Sequence, residues 1–200
     1  MFETMPDESR IEHQPVRRHL SDRQAEAVER LLIAAAEEVE VSAYSEISVR
    51  SIAKRAGVAT ATAYTYFSSK DHLLAEVLWR RMSLSPQSVD LSRPLPERVA
   101  DTVRSMGFGT LDTPAAAVAA CTTALLADGP DVKQVRTRIA AEIAERLTVA
   151  LGPGTDPTRL AVLQITYTGA ILSAGLGHLR FTAVPDLVAE AARLMEAGPA

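Results

Sequence analysis

An all-α fold is predicted for this chain: a small N-terminal three-helix unit and a larger helical second half, about nine helices together. Three observations predict it. Ala and Leu dominate the 200 residues, of which 47% are apolar and 4% aromatic, a balance that favours helix. No long run alternates with the two-residue period of a half-buried strand. Five segments of the second half each open on a proline, whose missing N–H costs nothing in the first turn of a helix.

Residues 1–20 are polar, mixed in charge and carry Pro6 and Pro15; they are expected to be a disordered arm. Their cluster Arg17, Arg18, His19 reads first as a solvated tail and second as a contact to phosphate or the minor groove. The first helix is expected to start at Ser21, where Ser21 and Gln24 have capping-box spacing. Leu31, Leu32, Ala35, Ala36 and Val39 then make one apolar face, ending near Val41. Tyr44 and Ile47 are expected as core plugs in the next loop.

Ser48 is a good N-cap for a second helix over 49–56. Ile52, Ala53 and Ala56 face inward; Arg50, Lys54 and Arg55 face out. Gly57 supplies the left-handed or close-packed backbone of a tight turn, and Val58 plugs it. A third helix, Thr60–Tyr66, ends at the Phe67-Ser68-Ser69 break. The fourth opens at Ser68 or Ser69, with Asp71 completing a capping box from Ser68. Leu73, Leu74, Val77, Leu78 and Met82 form its inner stripe.

SLSPQSVDLSRPLPE, residues 83–97, is rich in Ser and Pro and reads as a linker. The expected organisation is an arm (1–20), a first domain (21–68), a connecting helix (69–84) and a second domain (85–200). The second domain is expected to hold helices near 96–108, 114–126, 130–151, 157–178 and 185–196.

Net charge is −4, which does not suggest a nucleic-acid partner for the chain as a whole. The distribution does. Residues 1–46 carry an acidic excess, whereas over 47–81 Arg50, Lys54, Arg55, Lys70, Arg80 and Arg81 face only Asp71 and Glu76. A local basic patch is the footprint that phosphate binding needs. Arg80 and Arg81 read more simply as a solvated helix face.

The single cysteine, Cys121, rules out an internal disulfide and reads as a small core residue. The longest weakly polar stretch, 160–179, holds Gln164, Thr166, Tyr167, Thr168, Ser173 and His178, so a buried or interface helix is expected rather than a membrane span. With no signal peptide the chain is expected to be soluble and cytoplasmic. The histidines at 13, 19, 72 and 178 lack metal-ligand spacing, and no Ser/His/Asp grouping stands out. Neither enzyme, metal nor cofactor is expected.

Two short helices about a tight turn make a helix-turn-helix, whose second helix lies in the DNA major groove. Helical spacing sorts that second helix. Ala63 and Phe67 join the core; Thr60 with Tyr64, Ala61 with Thr65, and Thr62 with Tyr66 occupy the other faces. Small residues let the backbone approach the groove, and Thr suits a base edge or a thymine methyl. The Tyr hydroxyls and the Lys70 ammonium suit phosphate oxygens, although Tyr64 and Tyr66 are also readable as interhelical packing.

Those residues carry a resemblance. LLIAAAEEV, then Tyr44, then SVRSIAKRAGVATATAYTYFSSKDHLLAEV is similar to the DNA-binding domain of the TetR family of bacterial regulators, over 31–77. The resemblance implies a homodimer that binds double-stranded operator DNA, with a ligand pocket in the second domain and dimerisation through the last two long helices. It also implies that Ser48 and Arg50 contact the backbone or groove edge. Thr60, Ala61, Thr62 and Thr65 face bases, and Tyr64, Tyr66 and Lys70 hold phosphates. The chain departs from the family pattern at Ala43, Val39 and Glu38, where glycine, an aromatic and leucine are common. Its third helix contains no Arg, Lys, Gln or Asn, and the chain has no Asn at all, so bidentate purine contacts from that helix are excluded. Readout through methyls, hydroxyls, water and DNA shape is expected, with Arg50 as the long-reach contact.

In the second domain Gly169, Ser173 and Gly177 recur every four residues beside Ala170 and Ala174, a strip that lets helices approach closely. Its use is either a dimer seam or packing within the chain. Met106, Phe108, Cys121, Leu125, Ile143, Leu147, Tyr167 and Ile171 are the expected pocket lining, each equally readable as core. Few charges face inward, so a small, largely apolar effector is expected. The resulting expectation is a ligand-responsive repressor of a pseudo-palindromic operator, with the fourth helix as the only lever between domains. Two other classes stay open: a DNA-binding regulator without a small-molecule ligand, and a helical ligand-binding protein with a vestigial headpiece.

Overall fold

The computed structural model describes residues 22–106 and 115–197. Among them lie nine α-helices and no strand: α1 (Asp22–Val41), α2 (Val49–Arg55), α3 (Thr60–Tyr66), α4 (Lys70–Leu84), α5 (Leu95–Ser105), α6 (Ala115–Leu125), α7 (Pro130–Leu151), α8 (Pro157–Gly175) and α9 (Val184–Glu196), with a 3₁₀ turn at Phe181–Ala183. The expected arm, the Ser21 cap and Phe108 fall outside the described residues. No helix among these residues is long and apolar enough to cross a membrane.

Helix ends follow local chemistry. Ser48 caps α2: its Oγ accepts from the Ser51 N–H at 3.0 Å, and Ser51 Oγ accepts from the Ser48 N–H at 3.0 Å. The helix stops in a Schellman arrangement, with Gly57 at φ +63 and the Val58 N–H donating to Ala53 O at 2.9 Å, a geometry that glycine adopts without strain. Helix α4 is capped by Ser69, whose Oγ accepts from the His72 N–H at 3.0 Å. The expected Ser68–Asp71 capping box does not form, because the Asp71 carboxylate is taken by the Tyr44 hydroxyl. Helices α7 and α8 begin on Pro130 and Pro157; Pro96 and Pro185 sit one residue inside α5 and α9.

Helix α8 ends at Gly175, short of the expected His178. Gly177, at φ +80, lets the His178 N–H turn back to Ser173 O at 2.9 Å, so it ends the helix rather than extending the small-residue strip. The close approach is instead made by Gly175, where a Cβ would stand 3.4 Å from Thr122 Cγ2 on α6.

The core runs unbroken from Leu31 to Ala192. Helices α1–α3 form a headpiece around Leu31, Ile52, Ala53, Ala63 and Phe67, all buried. Helix α4 packs on α1, α6 and α7, while α5, α7, α8 and α9 enclose the second half. All five residues of the α4 stripe are buried. The fourth helix is not the only link between halves, because α1 also packs directly on α6.

Candidate nucleic-acid interface

Helix α3 is held by its inner face. Ala63 is fully buried and Phe67 nearly so. The Phe67 ring meets His72 edge-on at 5.5 Å between centroids. This leaves Ala61, Tyr64 and Thr65 exposed, with Thr60, Thr62 and Tyr66 half-buried. Tyr66 packs against the core, which is the packing role its residue type allowed; Tyr64 is 55% exposed. Thr65 donates its hydroxyl to Ala61 O at 3.1 Å. Its outward chemistry is therefore a methyl and acceptor lone pairs, suited to a thymine methyl or a base amino group.

Beside α3, Ser48 and Arg50 are exposed at the start of α2, and Lys54 is exposed on its outer face. Ser48 spends its hydroxyl on the cap. Arg50 and Lys54 make no ion pair among the described residues. The basic patch is smaller than the count of residues suggested. Arg55 Nε donates to Glu38 at 2.7 Å with Glu37 at 3.8 Å, and both guanidinium arms of Arg80 are held by Glu29. Glu38 is 7% exposed and is tolerated in the core because Arg55 pairs with it.

Lys70, the first residue of α4, is placed by Tyr44. Its Nζ donates to Tyr44 O at 2.9 Å and lies 3.9 Å from the centre of the Tyr44 ring. Neither partner carries a negative charge, so the ammonium keeps its charge at the headpiece while its position is set. Burial, with the Asp71 hydrogen bond second, pushes the Tyr44 hydroxyl up to about 12, so it remains a donor throughout the neutral range. This positioning of Lys70 was invisible in the sequence, since the residues are separated by 26 positions.

The residues expected to line a pocket are mostly packed. Met106 and Leu147 are fully buried, and Ile143, Tyr167 and Ile171 lie in the same core cluster; Leu125 is half-buried at its edge. An apolar cavity of about 190 Å³ lies elsewhere, between α1, α4 and α6, and of the expected residues Cys121 lines it. Of the expected seam, Gly169 is exposed, Ser173 half-buried and Gly177 beyond the helix. Gly169 shares the outer face of α8 with Val162, Ile165 and Leu172, all substantially exposed.

Sequence reasoning also missed Arg146. It is 3% exposed yet donates to Glu142 at 2.7 Å, to Met82 O at 2.8 Å and to Ser85 O at 2.9 Å. Its guanidinium thereby ties α7 to the end of α4. Among the described residues no cluster of His, Cys, Asp or Glu could hold a metal ion.

A sequence profile for bacterial regulatory proteins, tetR family, matches residues 31–77, the span from α1 into α4. Uncharacterised HTH-type transcriptional regulators of Mycobacterium tuberculosis and Mycobacterium bovis are each 40% identical over 178 residues, covering 88% of this chain and 83% of theirs. Among solved structures, a TetR transcriptional regulator from Rhodococcus sp. RHA1 superposes with a TM-score of 0.67 at 22% identity, over 90% of this chain and 100% of that one. The transcriptional regulator FadR from Bacillus subtilis, in complex with stearoyl-CoA, superposes with a TM-score of 0.50 at 18% identity, over 84% and 95%.

Proposed function

Because the chain belongs to the TetR family of bacterial transcriptional regulators, we propose that it is a ligand-responsive repressor, released from a pseudo-palindromic operator by a small effector. The observation that carries the DNA side is the grouping of α3's exposed Ala61, Tyr64 and Thr65 with exposed Arg50 and Lys54 and with the Tyr44-set ammonium of Lys70. Lys54, Tyr64 and Lys70 supply donors for phosphates, Arg50 a long-reach contact at the groove edge, and Thr60, Ala61, Thr62 and Thr65 a small, close surface for bases.

Two copies joined through the apolar outer face of α8 and the exposed Leu187 and Leu194 of α9 would present two α3 helices. Their half-sites would lie one turn of DNA apart, roughly 34 Å. Release requires an effector that favours one arrangement of headpiece and second half; a coupling of about 1–3 kcal/mol changes occupancy severalfold to a hundredfold. Both α1 and α4 are placed to carry it.

The test is selection of bound fragments from a random DNA pool by the purified protein. A recovered site with two related half-sites supports this reading. Failure to bind any DNA at low salt would sink it. A regulator without a small-molecule ligand is the second reading, favoured by the close packing of Met106, Ile143, Leu147 and Tyr167.

A further inference from the structure

The cavity between α1, α4 and α6 is walled by Leu32, Ala36, Val77, Leu78, Val118 and Cys121. Its volume, about 190 Å³, is close to that of engineered apolar cavities of about 150 Å³ that accept benzene. It is well below the roughly 300–1,000 Å³ of sites for drug-sized ligands. Whatever fits is therefore small and mostly apolar.

The rim is mixed: exposed Ile33 and Leu84 stand beside two arginines. Arg80 and Arg81 both border the cavity. Arg80 is committed to Glu29. Arg81 is exposed and has no ion pair among the described residues, and its charge is felt at Cys121 inside. Burial holds the Cys121 sulfur as a neutral thiol, its pKa pushed up to about 12, so covalent capture of an electrophile is not the chemistry on offer. An apolar chamber with one uncompensated guanidinium at its mouth matches a molecule with an apolar body and one anionic end.

We propose that this cavity is the effector site and that its ligand is a small monocarboxylate with an apolar body about the size of one ring. The carboxylate is held by Arg81, and the body rests on Leu32, Val77, Val118 and Cys121. This deepens the ligand-responsive reading and rests on it for its regulatory meaning. The position supplies a reason for release. Helix α1 is at once the floor of the headpiece core, through Leu31 and Ala35, and a wall of the cavity, through Leu32 and Ala36. A body entering between α1, α4 and α6 acts on the headpiece through α1 directly as well as through α4.

The test uses the full chain and three probes, benzoate, phenylacetate and octanoate, with benzyl alcohol as neutral control, titrated calorimetrically. At least one carboxylate is expected to bind with one molecule per chain, about tenfold or more tighter than benzyl alcohol. Arg81→Gln should weaken that carboxylate about tenfold to a hundredfold, the range of a hydrogen bond to a charged group, and leave benzyl alcohol unchanged. Val118→Phe should abolish binding of both by filling the chamber. Arg81 is exposed, so its variant keeps the test decisive if Val118→Phe does not fold. Binding by none of the carboxylates, or undiminished binding to Arg81→Gln, would overturn the proposal. Release of the selected operator fragment is measured separately: binding without release would leave the site standing and remove the ligand-responsive reading.

Discussion

Arg146 of α7 donates to the carbonyl oxygen of Met82 in the last turn of α4 at 2.8 Å, from a position only 3% exposed. The same nitrogen reaches Ser85 O, the Nε reaches Glu142, and Gln87 Nε2 returns a hydrogen bond to Arg146 O at 3.0 Å. A buried cation at the negative end of a helix satisfies Ser85 O and adds a second, charged donor to Met82 O, which already accepts from the Ser85 N–H at 3.1 Å. Arg146→Met should cost about 3–5 kcal/mol, because Glu142 and Ser85 O lose their partner at once and Met82 O keeps only the Ser85 N–H. Arg146→Lys should recover only part, since an ammonium cannot reproduce the planar fork. Urea unfolding of the three proteins measures the order.

Gly57 ends α2 at φ +63. No neighbour crowds it: an added Cβ would meet only Arg30 Nη1, at 4.0 Å. The cost of Gly57→Ala is thus backbone strain alone, about 1–2 kcal/mol. Gly57→Asn should lose less, since asparagine tolerates this conformation. Thermal unfolding separates the two variants.

On the proposed interface, Lys70→Met should weaken binding to all DNA sequences about equally and lower the slope of log affinity against log salt by about 1. Arg50→Ala should instead change preference among sequences, as the long-reach contact of a helix pair that has no other charged base reader. Binding titrations at several salt concentrations, on selected and scrambled fragments, check both. A sequence-selective loss for Lys70→Met would contradict its assignment to phosphate.

Glu76 of α4 accepts from Arg138 of α7 and lies 3.7 Å from His72. Burial works to raise its pKa, but the His72 ring beside it and the hydrogen bond and charge of Arg138 outweigh burial and hold it below the ordinary 4.5. A depressed folded-state pKa means stability that is complete above the unfolded value and lost as pH falls through the folded one. The protein should therefore lose stability as pH drops below about 4.5, and Glu76→Gln should flatten that loss while lowering stability at neutral pH. Urea midpoints between pH 3 and 7 give the comparison.

The places where sequence and structure part company share a cause. Asp71 has capping-box spacing from Ser68, but Tyr44 from a preceding loop takes its carboxylate. Gly177 continues a four-residue strip on paper, yet its left-handed backbone ends the helix. Arg55 and Arg80 count as basic-patch residues until Glu38 and Glu29 of α1 are brought against them. In each case a partner distant in sequence, or a backbone conformation, overrode a pattern read locally.

By itself the sequence determined the all-α architecture, the helix-turn-helix and the family. Those rest on short-range physics: apolar spacing in α1 and α4, the Ser48 cap, the Gly57 turn and prolines at helix starts, all legible within a few residues. Tertiary structure decided which charges remain available, where a small cavity opens and how α4 is tied to α7. Those depend on pairs such as Lys70 with Tyr44 and Arg146 with Met82, separated by 26 and 64 positions. Their electrostatics exist only once the chain has brought them within hydrogen-bonding distance.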